Sequence, residues 1–519
     1  MKRWVFDGYM RTYEDRIGGV FNNPNHFAAL LAVAVPIFLS IAFFGKNHAP
    51  TLRLLLGFLS VISLLAIGAS KSRGGFLALG VGVGLSVFAI LAVPRIWQRM
   101  ETQKARVAMI DVFLFIAAGI SGITMLNLEI TERLGSAAFS KATEMNLPLM
   151  WRSAMEQNSE SPLIGTGAQT FYFCSRKHRS TQMHVSVPEA DFAHNEYFQA
   201  VADYGWIGLT LFGFYILSHL GHGRKFLRQT KTADENSDDM ALVIGAIAAL
   251  AAVLAHACFD FVLHIPILAI ITSTLLAILA VPGQKKPPLV GEPRVSKFAS
   301  GTCLFTRTVC PGIGTALLIF GVMFARSEWH FEMARLRYES SSGSLKQLDH
   351  LRQAREIDPH NPFAHNLGAD AYVAAIDPKM PLVVQEAYLK KAETHYRSAL
   401  KLYPQDVFGA IGFAEVLDAT GKSLEAELVL NNARSWAPIY GPVMQAQAEH
   451  WLRVGNVELA ESYYHEARDA AAFRDWRAAL SGLEKIAEWR NLTAANAKIT
   501  DDEGQTEKAS TTEDLADLE

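Results

Sequence analysis

Eight apolar runs, each of about 18 residues or more, crowd the first 325 residues and leave few folds open to this chain. They extend approximately from His26 to Phe44, Leu52 to Ala69, Gly75 to Val93, Ala108 to Asn127, Val201 to Leu220, Ala241 to Cys258, Val262 to Val281, and Cys310 to Ala325. Hydrocarbon offers no partner to a backbone N–H or C=O, so runs of this length read as helices that satisfy their own hydrogen bonds. The expectation is an all-α protein: a polytopic transmembrane helical domain over 26–325, then a water-soluble helical domain.

Composition narrows the rest. A net charge of −3 across 519 residues argues against nucleic-acid binding, which needs a concentrated basic face. Cys174, Cys258, Cys303 and Cys310 lack the spacing of a zinc or redox site and the density of a disulfide framework, so they read as structural or incidental. No metal and no cofactor is called for. Met1–Asn25 mixes aromatic and charged residues without the apolar core of a cleavable signal peptide, so insertion relies on the spans.

Cations in short connections stay on the cytoplasmic side. Lys46 and Arg53, then Arg95, Arg99, Lys104 and Arg106, then Arg224, Lys225, Arg228 and Lys231, then Lys285, Lys286, Arg294 and Lys297 fall at every second gap. The large loop over 128–200, the turn around Asp260 and everything after Ala325 are thereby expected on the outer, periplasmic face of a bacterial inner membrane. The same scheme puts Met1–Asn25 outside despite Lys2, Arg3, Arg11 and Arg16, a conflict that an upstream segment would explain.

Beyond Ala325 hydropathy falls and amphipathic helices alternate with short turns. AREIDP, ALKLYP and ARSWAP, ending at Pro359, Pro404 and Pro438, each place Ala five residues before Pro, and the second interval is 34 residues. That is the tetratricopeptide period; the first interval is longer and needs an insertion near Asp377–Pro381. Residues 326–491 therefore resemble tetratricopeptide repeats, which offer a concave surface to an envelope protein partner. An appendage that binds nothing is the alternative. The acidic tail over 492–519 lacks the apolar content to fold.

Polar groups among spans are costly and tend to mark function. Four clusters are relevant: GGVFNNPNH at 18–26, with Asn25; SKSRGG at 70–75, with Ser72 and Arg73; WRSA at 151–154, with Arg152, followed by SPLIGTG at 161–167 and Phe171; and HNEYFQ at 194–199, with His194 and Glu196. Trp151 and Phe171 are expected to anchor the large loop at the interface. Arginine with neighbouring hydroxyls and glycine amides suits bidentate phosphate binding or a lipid headgroup. A histidine at neutral pH can take a proton from an acceptor hydroxyl, with Glu196 or a carbonyl fixing its tautomer. Arg152 and His194 can equally be surface residues. His256, Asp260 and His264 lie around one outer turn and can pair with the same site; Pro266 argues against their forming a metal face on one helix.

Together and in order, GGVFNNPNHFAALL, SKSRGGFLAL, WRSA with PLIGTGAQTF, AHNEYFQAVADYGWIGL and HACFDFVLHIP resemble the O-antigen ligase and polymerase superfamily, over roughly Arg16–Val281. The resemblance implies a GT-C-like membrane fold and transfer of a glycan from a polyprenyl diphosphate lipid to an acceptor hydroxyl on lipid, polysaccharide or protein. It implies His194 as catalytic base and Arg73 and Arg152 as diphosphate ligands, with Asn25, Ser72, Glu196 and Asp260 in support. Family members carry more spans ahead of FNNPN, and the best-known ligases lack the repeats, which leaves the acceptor open. Two other readings stand beside this enzyme: a bicarbonate-like membrane transporter, and a non-catalytic repeat scaffold for envelope assembly.

Overall fold

A computed structural model describes residues 16–21, 23–45, 50–92, 141–181, 191–229, 237–280, 309–340, 347–470 and 477–492. The expected span Ala108–Asn127, most of Met1–Asn25, Cys303 and the tail beyond Leu492 lie outside them. The described residues form helices, turns and bends with no strand. The chain divides into two compact units: residues 1–178 with 189–292, and residues 179–188 with 293–519.

In the first unit α1 is Pro24–Phe44, α2 Pro50–Ser70, α3 Arg73–Ala92, α4 Lys141–Glu160, α5 Glu196–Gln229, α6 Ser237–His256 and α7 Pro266–Ala280. Asn23 caps α1 by accepting from the Asn25 N–H, and Pro24 occupies the first helical position, where its missing N–H is no loss. α1 packs against α2, α3 and α6 at the centre of the unit. Small residues set the closeness of that packing. A Cβ on Gly245 would come within 3.1 Å of the Ile37 backbone, and one on Gly82 within 3.0 Å of the Ala248 carbonyl. The buried Ser40 hydroxyl donates to the Ala241 carbonyl of the neighbouring helix at 2.5 Å.

By length and composition α1, α2, α5 and α6 are able to cross a membrane; Arg73–Leu85 within α3 and all of α7 are apolar but shorter. Several boundaries differ from the hydropathy reading. α5 begins at Glu196 rather than Val201 and is broken at Gly205, whose φ of 66° and ψ of −175° no helix contains. The run expected from Val262 splits into a 3-10 turn at Val262–His264 and α7, because Pro266 cannot donate to a helix continued through it.

In the second unit α8 is Cys310–Ser340, α9 Gln347–Ile357, α10 Pro362–Ala374, α11 Leu382–Leu402, α12 Val407–Ala419, α13 Ser423–Trp436, α14 Gly441–Val454 and α15 Val457–Asp469, with α16 over 477–492. α8 changes character along its length. Ile313, Leu318, Ile319, Phe320, Val322 and Met323 are exposed, whereas Ser327, His330 and Ala334 are buried, and the Ser327 hydroxyl donates to the Ala354 carbonyl of α9 at 3.0 Å. Successive helices then pack in neighbouring pairs, α10 with α11, α12 with α13 and α14 with α15. Asn361, Asp406 and Asn456 cap α10, α12 and α15. One contact recurs: Tyr396 lies over Gly412 and Tyr464 over Gly482, each glycine leaving the space its tyrosine ring fills.

Candidate active site

The corner between α6 and α7 and the start of α5 build the site. α6 ends at His256, a turn carries Ala257–Asp260, and the 3-10 turn precedes α7. The Asp260 carboxylate accepts from the Phe261 N–H at 2.9 Å, which shapes the turn. Asn195 and Glu196 stitch α5 onto this corner. Asn195 Oδ1 accepts from the Tyr197 and Phe198 N–H groups and so caps α5, while its Nδ2 donates to the Cys258 carbonyl at 2.8 Å. The Glu196 N–H donates to the Ala257 carbonyl, its carboxylate accepts from the Leu263 N–H at 2.5 Å, and its other oxygen lies 3.0 Å from His264 Nδ1.

With the two residues after it held in this way, His194 adopts a left-handed backbone with φ of 50°. Such a conformation is costly for a side-chain-bearing residue and persists only where its surroundings enforce it, a pattern concentrated at active sites. His194 Nδ1 lies 3.4 Å from Asp260 Oδ1; the histidine is about one-third exposed at 34% and the aspartate buried at 2%. The other carboxylate oxygen faces two more imidazoles, His26 Nε2 at 3.8 Å and His256 Nε2 at 4.0 Å. Both distances exceed a hydrogen bond, and Asp260 Oδ2, His26 Nε2 and His256 Nδ1 are buried without a hydrogen-bond partner. The Phe261 ring meets His26 and His194 edge-on, each with centroids 5.0 Å apart.

Electrostatics follow the geometry. Burial by itself would push the Asp260 carboxyl up, but His194 and His26 outweigh it and hold the group well below the usual carboxylate range. Burial would push His264 down, yet the Glu196 carboxylate raises it above the ordinary histidine value.

The expected site residues divide among three places. His194 and Asp260 meet directly. Glu196, expected to fix the His194 tautomer, instead serves His264 and the Leu263 N–H, because it stands in the first turn of α5 facing the corner backbone. Ser72 caps α3, its hydroxyl accepting from the Gly75 N–H at 3.2 Å. Arg73 is the first residue of that helix, beside Gly74, whose missing side chain lets His256 Nε2 approach to 3.0 Å of the Cβ position. Asn25 takes a hydrogen bond from Arg16 Nη2 at 2.7 Å, and Arg16 Nε donates to the Ser70 carbonyl, strapping the start of α1 to the end of α2. Arg152 is different in its pairing: 71% exposed on α4, it bonds Glu156 one turn on at 2.6 Å.

Two anchors expected at the membrane interface are internal packing instead. Phe171 is 1% exposed, and Trp151 stacks on Phe198 at 5.5 Å between centroids, docking α4 on α5. His26 closes the GGVFNNPNH cluster, but its approach to Asp260 and the bond from Arg16 to Asn25 are not legible in the sequence. The available signal was a histidine and an arginine flanking an Asn/Pro-rich helix start, a pattern that capping alone accounts for.

Among known proteins, no curated protein matches the chain. The crystal structure of yeast Tom70 aligns with 90% of this chain and 96% of its own at 12% identity, with a TM-score of 0.28, too low to carry a structural argument. Residues 58–213 match the family model described as O-antigen ligase, a segment that holds Ser72, Arg73, Arg152, His194 and Glu196, and through that segment this membrane protein is similar to the O-antigen ligase family.

Proposed function

We propose that this protein transfers an oligo- or polysaccharide from a polyprenyl diphosphate lipid to an acceptor hydroxyl at the outer face of the bacterial inner membrane. The observation that carries this reading is the His194–Asp260 pair, 3.4 Å apart, next to the α3 N-terminus that bears Arg73. A carboxylate facing Nδ1 fixes the proton there and leaves Nε2 as the basic nitrogen, pointing the histidine at an incoming hydroxyl. Nε2 takes the acceptor proton as the acceptor oxygen attacks the anomeric carbon. The bond from that carbon to the diphosphate oxygen breaks, and the diphosphate departs on the polyprenyl lipid with the bonding pair. Arg73 and Arg152 neutralise the charge gathering on it, and the positive end of the α3 dipole adds to that field. Arg152 must exchange Glu156 for phosphate to do so, an exchange its exposure permits.

The match to the O-antigen ligase family supports a lipid-linked glycan donor and a polysaccharide or lipid acceptor. The recurring Tyr396/Gly412 and Tyr464/Gly482 contacts support reading 326–491 as tetratricopeptide-like repeats; that their concave face holds an envelope protein is part of the proposal. Glycan profiling of strains carrying His194→Ala, Arg73→Ala or a deletion, at equal membrane protein levels, tests the proposal. Loss of the same surface or secreted glycan with accumulation of lipid-linked precursor is the expected result. Unchanged glycan in both point mutants would end the enzyme reading.

A further inference from the structure

The break in α5 at Gly205 is splinted by another part of the chain. Trp206 and Ile207, the first residues past it, donate to the Pro162 and Leu163 carbonyls at 3.0 and 3.1 Å. Before it, the Ala202 and Asp203 carbonyls accept from the Thr166 and Gly167 N–H groups at 3.1 and 2.9 Å. The loop over 161–167 thus replaces the helical hydrogen bonds that the break removes. The backbone groups that make these bonds turn toward α5, while the two large apolar side chains are exposed, Leu163 64% and Ile164 70%.

The helix itself gives the depth of this loop. Arg224, Lys225 and Arg228 mark one boundary of the hydrocarbon on α5, since cations lie at or beyond it. Gly205 is 19 residues from Arg224, about 28 Å at the helical rise of ~1.5 Å per residue. A hydrocarbon core is about 30 Å thick, so the break falls at the opposite boundary. Tyr204 and Trp206, both about half exposed, flank it as interfacial aromatics do, and below them Leu211, Phe214 and Leu217 continue an outward apolar face along the span. Leu163 and Ile164 extend that lipid-facing surface.

We infer that the loop over 161–167 is a wedge inserted in the membrane, with Leu163 and Ile164 among the lipid acyl chains of the leaflet on its side. The bonds made by the Pro162 and Leu163 carbonyls and by the Gly165, Thr166 and Gly167 N–H groups lower the cost the bilayer imposes on non-helical chain. The wedge fixes the depth of α4 and of the start of α5, and with them the height of His194 at the membrane surface. It depends on membrane insertion alone, not on the glycan-transfer reading.

Spin labels in liposomes test it on the full chain with its four cysteines replaced by alanine. Labels enter as Leu163→Cys and Ile164→Cys, with Leu217→Cys on the span and Lys390→Cys on α11 as references. Labels at 163 and 164 are expected to collide with oxygen and exclude a water-soluble nickel chelate, as the label at 217 does. Access by the chelate equal to that at 390 would overturn the wedge. Exclusion of both collision partners would overturn it too, because it means a protein or a second copy covers the loop. With the native cysteines kept, a photoreactive phenylalanine derivative at position 164 is expected to crosslink to phospholipid; crosslinking to protein alone would overturn the inference.

Discussion

His194 meets Asp260 across the two ends of a corner that 65 residues of chain separate, Nδ1 to Oδ1 at 3.4 Å, with the aspartate buried and the histidine open to solvent. In the proposed reaction the two have different tasks: Asp260 positions, and His194 handles the proton. Asp260→Asn keeps the shape but removes the charge that holds the tautomer. Transfer measured in membranes with a lipid-linked donor is expected to fall about a hundredfold or more, with the pH–rate profile displaced. A fall with an unaltered profile would assign Asp260 to structure alone.

Arg152 separates function from stability. An exposed ion pair one helical turn long contributes little, so Arg152→Ala is expected to change unfolding free energy by about 0.5 kcal/mol or less. Donor turnover is expected to drop while Glu156→Gln, which frees the guanidinium, retains it. Thermal unfolding of the purified proteins beside turnover assays separates the two effects.

Gly205 admits no side chain. A Cβ there would lie 2.3 Å from the Leu163 carbonyl carbon and oxygen, and the positive φ is strained for any other residue. Gly205→Ala is expected to cost at least about 3 kcal/mol, read as a lowered melting temperature and greater protease sensitivity in the loop over 161–167. Gly57→Ala, where nothing lies within 4 Å, is the matched control.

His395 supplies a pH dependence in the second unit. Burial first, then the nearby Arg355, His365 and Lys391, push it down to about 4 from 6.5. A folded value below the unfolded one means the unfolded chain binds the proton first. The neutral histidine's contribution is therefore complete above pH 6.5 and is lost as pH falls toward 4. Melting temperatures across that window are expected to decline less in His395→Gln than in the unaltered protein. Identical slopes would remove His395 as a cause.

What the sequence determined by itself was the material of the fold: apolar runs that have to be helices in hydrocarbon, followed by amphipathic helices that end on regularly placed prolines. It also marked His194, Arg73 and Arg152 as the polar residues to watch, since their local motifs are contiguous. Partnership was decided only by the tertiary structure. Glu196 and Asp260 are both carboxylates near His194, and which one reaches it depends on the corner after α6 rather than on either motif. His26 enters the site because α1 packs on α6 through small residues, and the break at Gly205 survives because a distant loop completes its hydrogen bonds. Contacts between residues far apart in sequence follow from packing and leave no local periodicity to read.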